Sequence, residues 1–271
     1  MKLALCQLDV TPDKQENIRR AYDMLLRAAD CGAQMAILPE MFSIAYVARL
    51  FDGAAEACPD GECGNMLSKA AKQTGMFIIG GSIPERENNG RIFNTSMSFG
   101  PDGSFLGKYR KAHLFDVDVP GAFRFMESDA IAQGDEYPLV LDAPLKTGVN
   151  ICFDIRFPEW ARLVMQSGCD LLALPAAFSR NTGPRHWELL LRARALDNQL
   201  FVAAVSPAQS KSAYGHSMLV SPDGTVLLDC GEEECVRVVE LDPTLLSEMR
   251  QSIPVQTARR LDLYQLTKKA E

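Results

Sequence analysis

Three residues in this 271-residue chain are of types that could do hydrolytic chemistry: Cys152, Glu40 and Lys111. Cys152 lies between an apolar run and the helix expected to start near Pro158, the position of a nucleophile elbow, where a helix N-terminus and nearby amides favour a thiolate. Read alone, it is equally at home as a buried core cysteine. A cysteine hydrolase needs a base, and the histidines available are His113, His186 and His216, none excluded by spacing. A carboxylate does the same work once burial raises its pKa, and Glu40, emerging from the apolar run MAILPE, suits that role. Lys111, in GKYRKAHLF, would stabilise a developing oxyanion if its ammonium pointed into a closed site. Alone, it reads as part of a surface charge run with Lys108 and Arg110.

The elements that must position these residues follow from hydrophobic periodicity. KLALCQLDV reads as a buried strand, and residues 13–31 follow with apolar positions at Ile18, Ala21, Tyr22, Leu25 and Ala28 on one helical face. MAILPE is a second strand ended by its proline; 61–75 reads as a helix, 76–81 as a strand, and 91–110 as a hairpin turning at Pro101, Asp102 and Gly103. The segment 112–138 has no clear period and is expected to be mostly loop. TGVNICFD then forms a strand ending at Cys152, PEWARLVMQSG a helix opened by Pro158, and CDLLALPAAF the next strand. Residues 184–199 form a helix, FVAAVSP, YGHSMLVSPDGTVLLDC and ECVRVVEL supply strands, and 242–251 close the chain as a helix.

Two phrases recur at a large offset: ILPE with LALPAAF, and SMSFGPDGSFLGKY with SMLVSPDGTVLLDC. The chain therefore reads as two pseudo-related halves, whose strands flanked by helices predict two sheets packed face to face inside a four-layer α-β-β-α sandwich, taken as one domain over 1–271. Without the repeat, a doubly wound single sheet would be the alternative.

Composition narrows the function. With 47% hydrophobic and 23% charged residues the chain can bury a large core, and a net charge of −7 with no basic run argues against nucleic acid and anionic membrane as partners. No stretch reaches the roughly 18–20 apolar residues of a membrane span. The N-terminal residues lack a signal-peptide pattern, so the expected compartment is the cytoplasm. Cys58/Cys63 and Cys230/Cys235 are each separated by four residues, but no histidine lies nearby to complete a zinc site, and no metal is expected.

LPEMF, GKYRKAHLF and GVNICFDIRFPE, in that order and widely spaced, resemble the three catalytic blocks of the nitrilase (carbon–nitrogen hydrolase) superfamily, and the resemblance spans essentially the whole chain. HLFDVDVPG, FMESDAIAQGD, TGPRHWELL and RALDNQLFVAA look closest to one branch, the ω-amidases, which deamidate 2-oxo acid amides. The resemblance implies Cys152 as nucleophile, Glu40 as general base and acid, Lys111 as electrostatic stabiliser, and Glu127 as the family's second glutamate, which positions Lys111 or substrate. It further implies an oxyanion hole completed by the backbone N–H of Phe153, no metal or organic cofactor, and a homodimer or larger homo-oligomer. A substrate carrying a carboxylate needs cations or donors, for which Arg156, Arg180, Thr182 and Tyr46 are candidates. Two departures touch the pocket: AAFS, with Ala176 and Ser179, stands where the branch usually has GAFN, and Phe153 replaces a tyrosine. Phe153-Asp154 after the cysteine, where nitrile-hydrolysing members carry Trp-Glu, points to amides. Deaminated glutathione and N-carbamoyl amino acids are the alternative substrates; a catalytically silent scaffold of the same fold is the non-enzyme alternative, favoured if any of Glu40, Lys111 or Cys152 were missing, and all three are present.

Overall fold

The computed structural model describes residues 1–119, 123–210 and 213–268. The first half runs β1 (Lys2–Gln7), α1 (Lys14–Asp30), β2 (Met35–Ile37), α2 (Ala48–Ala54), α3 (Glu62–Thr74), β3 (Phe77–Ile79), β4 (Ile83–Arg86), β5 (Ile92–Phe99) and β6 (Phe105–Arg110), followed by a hairpin of β7 (Asp116–Val119) and β8 (Phe123–Met126). The second half runs β9 (Leu139–Leu141), β10 (Thr147–Val149), α4 (Pro158–Gln166), β11 (Leu171–Pro175), α5 (Gly183–Asn198), β12 (Phe201–Val205), β13 (Met218–Val220) and β14 (Val226–Asp229). β15 (Cys235–Glu240) and α6 (Thr244–Ser252) end the order.

One sheet is ordered β15-β1-β2-β3-β5-β4 with β6 also on β5; the other is β14-β13-β12-β11-β10-β9. Each has three parallel central strands, β1-β2-β3 and β10-β11-β12, flanked by antiparallel ones. This shared pattern is the structural form of the sequence repeat, and β15 returns from the second half to pair with β1 along its full length.

Strand alternation builds the layers. On β1, Leu3 and Leu5 face the other sheet, meeting Val149, Leu171, Ala173 and Phe201, while Ala4 and Cys6 face Met24 and Leu25 of α1 and Leu67 of α3. On the far side, Leu172 and Leu174 of β11 meet Val164 of α4 and Leu191 of α5. The result is the expected four-layer α-β-β-α sandwich. A Cβ at Gly148 would meet Val164 Cγ1 at 2.3 Å, so the bare backbone there lets α4 seat directly on β10.

The structure departs from the sequence reading in two places near the site. Within 112–138, expected to be mostly loop, β7 and β8 pair with each other, and a 3-10 turn follows at Glu127–Asp129. These strands are four residues long and join neither sheet, so their signal is too short to read as a period. Likewise, β10 stops at Val149 rather than at Cys152, because Cys152 takes φ 43° and opens a 3-10 turn, Cys152–Arg156.

Candidate active site

Glu40, Lys111 and Cys152 come from three separate chain segments and converge where the two sheets' C-terminal strand ends meet. Glu40 leaves β2 through Pro39, and its backbone N–H donates to Ala176 O across the sheet interface at 3.2 Å. In return Ala177 N donates to Glu40 Oε2 at 2.7 Å. The two repeated Leu-Pro phrases, Leu38-Pro39 and Leu174-Pro175, thus lock against each other. Gly81, at φ 59°, allows the chain to pass beneath: a Cβ there would lie 2.1 Å from Pro39 O.

Lys111 follows β6 and is anchored by its N–H on Asn94 O at 2.8 Å. Its Nζ donates to Glu40 Oε1 and Glu127 Oε2, both at 2.8 Å, and to the Tyr46 hydroxyl at 3.3 Å. All three charged side chains are 0% exposed. Asn94 bridges the carboxylates from the other side, its Nδ2 donating to Glu40 Oε1 at 2.8 Å and Glu127 Oε1 at 3.0 Å, and Phe115 N adds a bond to Glu127 Oε2 at 2.7 Å. Buried charge survives only when paired and hydrogen-bonded, and every member here is.

Two carboxylates against one ammonium leave one excess negative charge, and this sets the protonation state. Burial drives the Glu40 carboxyl up; the Lys111 charge opposes the rise and that of Glu127 adds to it. Burial alone would pull the Lys111 ammonium down, but Glu127 and Glu40 outweigh it and hold it well above the usual lysine value. The Cys152 thiol is pushed well above its ordinary value by burial and next by the Glu40 charge, with Lys111 opposing. Cys152 therefore rests as a thiol beside Glu40. Passing its proton to Glu40 keeps the cluster's total charge unchanged, so the transfer adds no buried charge.

Each of the three histidines is engaged elsewhere: His113 on Asp154, His186 on Arg156, and His216 on Asp229. The geometry thus leaves a carboxylate, Glu40, beside the thiol.

Cys152 opens onto a cavity of about 350 Å³ walled by Phe115, Phe125, Phe153 and Phe178. Tyr46, Arg156, Arg180 and Thr182 all line it. Tyr46 packs edge-on against Phe51 at 5.5 Å and faces Phe125 at the same distance, so its hydroxyl is held over Lys111. The Arg156 guanidinium lies over the rings of Phe178 (5.1 Å) and Phe153 (5.7 Å), with Nη1 3.2 Å from His186 Nδ1. Neither Arg156 nor Arg180 pairs with a carboxylate among the described residues, so both can receive one from a ligand. β10 and β11 are parallel neighbours, which brings the loop bearing Arg180 and Thr182 to the same end as Cys152. The Phe153 N–H lies in the first turn of the 3-10 segment, where amides lack an intrahelical acceptor. Asn94 escaped sequence reasoning, because nothing in IFNTSMSF separates it from any other inward position of a strand. Among the described residues no cluster of three or more His, Cys, Asp or Glu side chains could hold a metal ion.

The carbon–nitrogen hydrolase family model matches residues 2–251. Omega-amidase NIT2 of Xenopus tropicalis is 48% identical over 272 residues, covering 99% of this chain and 98% of that protein. Omega-amidase NIT2 of Homo sapiens is 47% identical over 268 residues, covering 97% and 96%. Among solved structures, Saccharomyces cerevisiae Nit3, a member of branch 10 of the nitrilase superfamily, is 36% identical with a TM-score of 0.87 and 96% of each chain covered.

Proposed function

This chain belongs to the carbon–nitrogen hydrolase family, and from that membership and the geometry of its site we propose that it is an ω-amidase, hydrolysing the terminal amide of 2-oxoglutaramate or 2-oxosuccinamate to the acid and ammonia. The observation that carries the substrate class is the pairing, in one cavity, of the Cys152 thiol with two arginines that have no carboxylate partner among the described residues.

Cys152 Sγ attacks the amide carbon as its proton passes to Glu40, giving a tetrahedral oxyanion held by Lys111 Nζ and the Phe153 N–H. Glu40 returns the proton to the departing nitrogen and ammonia leaves, forming a thioester. Glu40 then takes a proton from water as the water attacks, a second oxyanion forms in the same hole, and collapse releases the acid and restores the thiol. Glu127 and Asn94 keep Lys111 and Glu40 in place during both half-reactions. Arg156 and Arg180 bind the substrate carboxylate, with Tyr46 and Thr182 supplying hydroxyl donors.

Two wider readings accompany this one. All eight cysteines are free thiols, which supports a reducing compartment such as the cytoplasm. Leu189 and Leu196, one heptad apart on α5, are 67% and 46% exposed, an apolar face that supports a homodimer or larger homo-oligomer; light scattering after gel filtration tests it.

The deciding experiment is ammonia release from 2-oxoglutaramate, 2-oxosuccinamate, deaminated glutathione, an N-carbamoyl amino acid and a simple nitrile, with Cys152→Ala alongside. Turnover of the oxo-acid amides, abolished in the variant, is expected. Turnover of another compound alone removes the substrate assignment, and activity surviving Cys152→Ala removes the mechanism.

A further inference from the structure

Lys111 belongs to the sheet of the first half, whereas Cys152 and the Phe153 N–H belong to the second. The packing between the sheets is apolar and non-directional, so it cannot by itself hold an ammonium and a sulfur in register to a fraction of an ångström. Directional bonds can.

Glu40 makes some of them, with Ala176, Ala177 and Lys111, and a second buried carboxylate makes the rest near the nucleophile. Asp154, two residues past the nucleophile and 0% exposed, accepts on Oδ2 from Ile151 N at 2.9 Å and from the Tyr109 hydroxyl at 2.7 Å. On Oδ1 it accepts from His113 N at 3.1 Å, with His113 Nδ1 at 2.7 Å. The first bond fixes the residue before Cys152, and the others grip Lys111's own segment on both sides, two residues before and two after. Tyr109 OH also accepts from Trp160 Nε1 of α4 at 2.8 Å and from Ala112 N at 3.3 Å. Burial, then the Asp154 charge, hold the Tyr109 hydroxyl well above its usual range, so it stays a donor. The His113 ring stacks on Phe157 at 3.8 Å and meets Trp160 edge-on at 5.0 Å. Cys152 stands at φ 43°, a backbone conformation that side-chain-bearing residues keep only when the surroundings impose it.

We propose that Asp154, with Tyr109 and His113, is a positioning clamp that joins the nucleophile's turn to the lysine segment across the two sheets and so sets the geometry of the oxyanion hole. None of the three touches the reacting atoms. The inference rests on the roles given above to Cys152, Lys111 and Phe153.

The test compares Asp154→Asn and Tyr109→Phe with wild type on whichever amide the wild-type enzyme turns over. Three quantities are read: kcat and KM, thermal unfolding, and the rate at which iodoacetamide alkylates Cys152, followed by mass spectrometry of the Cys152 peptide. Alkylation forms a carbon–sulfur bond and expels iodide, the thiol proton going to Glu40, and it develops no oxyanion. A misplacement of about 1 Å costs about 100-fold in rate. Both variants should lose about 10- to 100-fold in kcat, with KM and Cys152 alkylation within about 3-fold of wild type. Unchanged kcat in either folded variant overturns the clamp. So does a parallel fall of kcat and alkylation, which marks general damage to the nucleophile. If Asp154→Asn does not fold, Tyr109→Phe, which removes only a hydroxyl, decides alone. Failure of wild type on 2-oxo acid amides, with turnover of another amide, removes the ω-amidase reading and leaves this comparison intact.

Discussion

Replacing Lys111 by methionine keeps the side chain's length and apolar stem but removes the only cation that contacts Glu40 and Glu127 among the described residues. Breaking a buried pair by deleting one partner costs about 3–5 kcal/mol, because the remaining charge is left uncompensated. At about 2–4 °C per kcal/mol for a chain near this size, the melting temperature at neutral pH should fall by about 6–20 °C. The pH dependence is the sharper signature. Burial already raises the Glu40 carboxyl above its ordinary 4.5, with Lys111 the leading influence holding it down. In Lys111→Met that restraint is gone, and one carboxyl keeps a proton in the folded state that the unfolded chain releases. A raised carboxyl contributes stability below the unfolded value and loses it as pH rises toward the folded one, here by about 1.4 kcal/mol per pH unit for each retained proton. The variant's deficit relative to wild type should therefore be smallest near pH 5 and widen towards pH 8, as read by urea unfolding at several pH values. A deficit that is flat across that range, or below about 1 kcal/mol at pH 7, would refute the buried, charge-limited cluster.

Asn94→Leu removes a donor from each carboxylate, so the Glu40 carboxyl should rise further and the acidic limb of the kcat profile should move to higher pH; an unmoved limb contradicts the bridging role. Arg156→Gln should lower kcat/KM for a 2-oxo acid amide by about 10- to 150-fold, the equivalent of a charge-assisted bond of about 1.5–3 kcal/mol, while leaving a short neutral amide unaffected. Equal losses on both substrates would assign Arg156 to structure instead. Gly148→Ala drives a methyl into Val164 Cγ1 and should cost about 1–3 kcal/mol in chemical unfolding; a neutral result would mean that α4 yields without cost.

Much of this arrangement is legible along the chain because strand ends announce themselves. Glu40 and Cys152 each follow an apolar run interrupted by proline or a forthcoming helix, and the repeated Leu-Pro and Pro-Asp-Gly phrases imply two sheets of matching pattern. Local periodicity reaches only as far as it persists. β7 and β8 are four residues each and pair only with one another, and β4 and α2 offer windows of four and seven residues, so none of them stands out from loop. The positive φ of Cys152 has no sequence signal, since glycine is absent there and the conformation is imposed by bonds from elsewhere.

The residues to which the sequence assigned no positioning role share a physical reason. Asn94, Tyr109 and Asp154 touch no ligand-facing surface; they act on Glu40, Lys111 and Cys152 from behind, through bonds spanning 41 to 54 positions of the chain. Cys152, Glu40 and Lys111 are each ambiguous in their own neighbourhood, and it is the three blocks LPEMF, GKYRKAHLF and GVNICFDIRFPE together that mark them as nucleophile, base and ammonium. Their mutual distances are a property of the interface between the two halves, and no window of sequence contains both sides of it. The reciprocal bonds of Glu40 with Ala176 and Ala177 make the same point: the two copies of the Leu-Pro turn are conspicuous as a repeat, yet that they meet, and that their meeting places Glu40 beside Cys152, follows only once both sheets are folded.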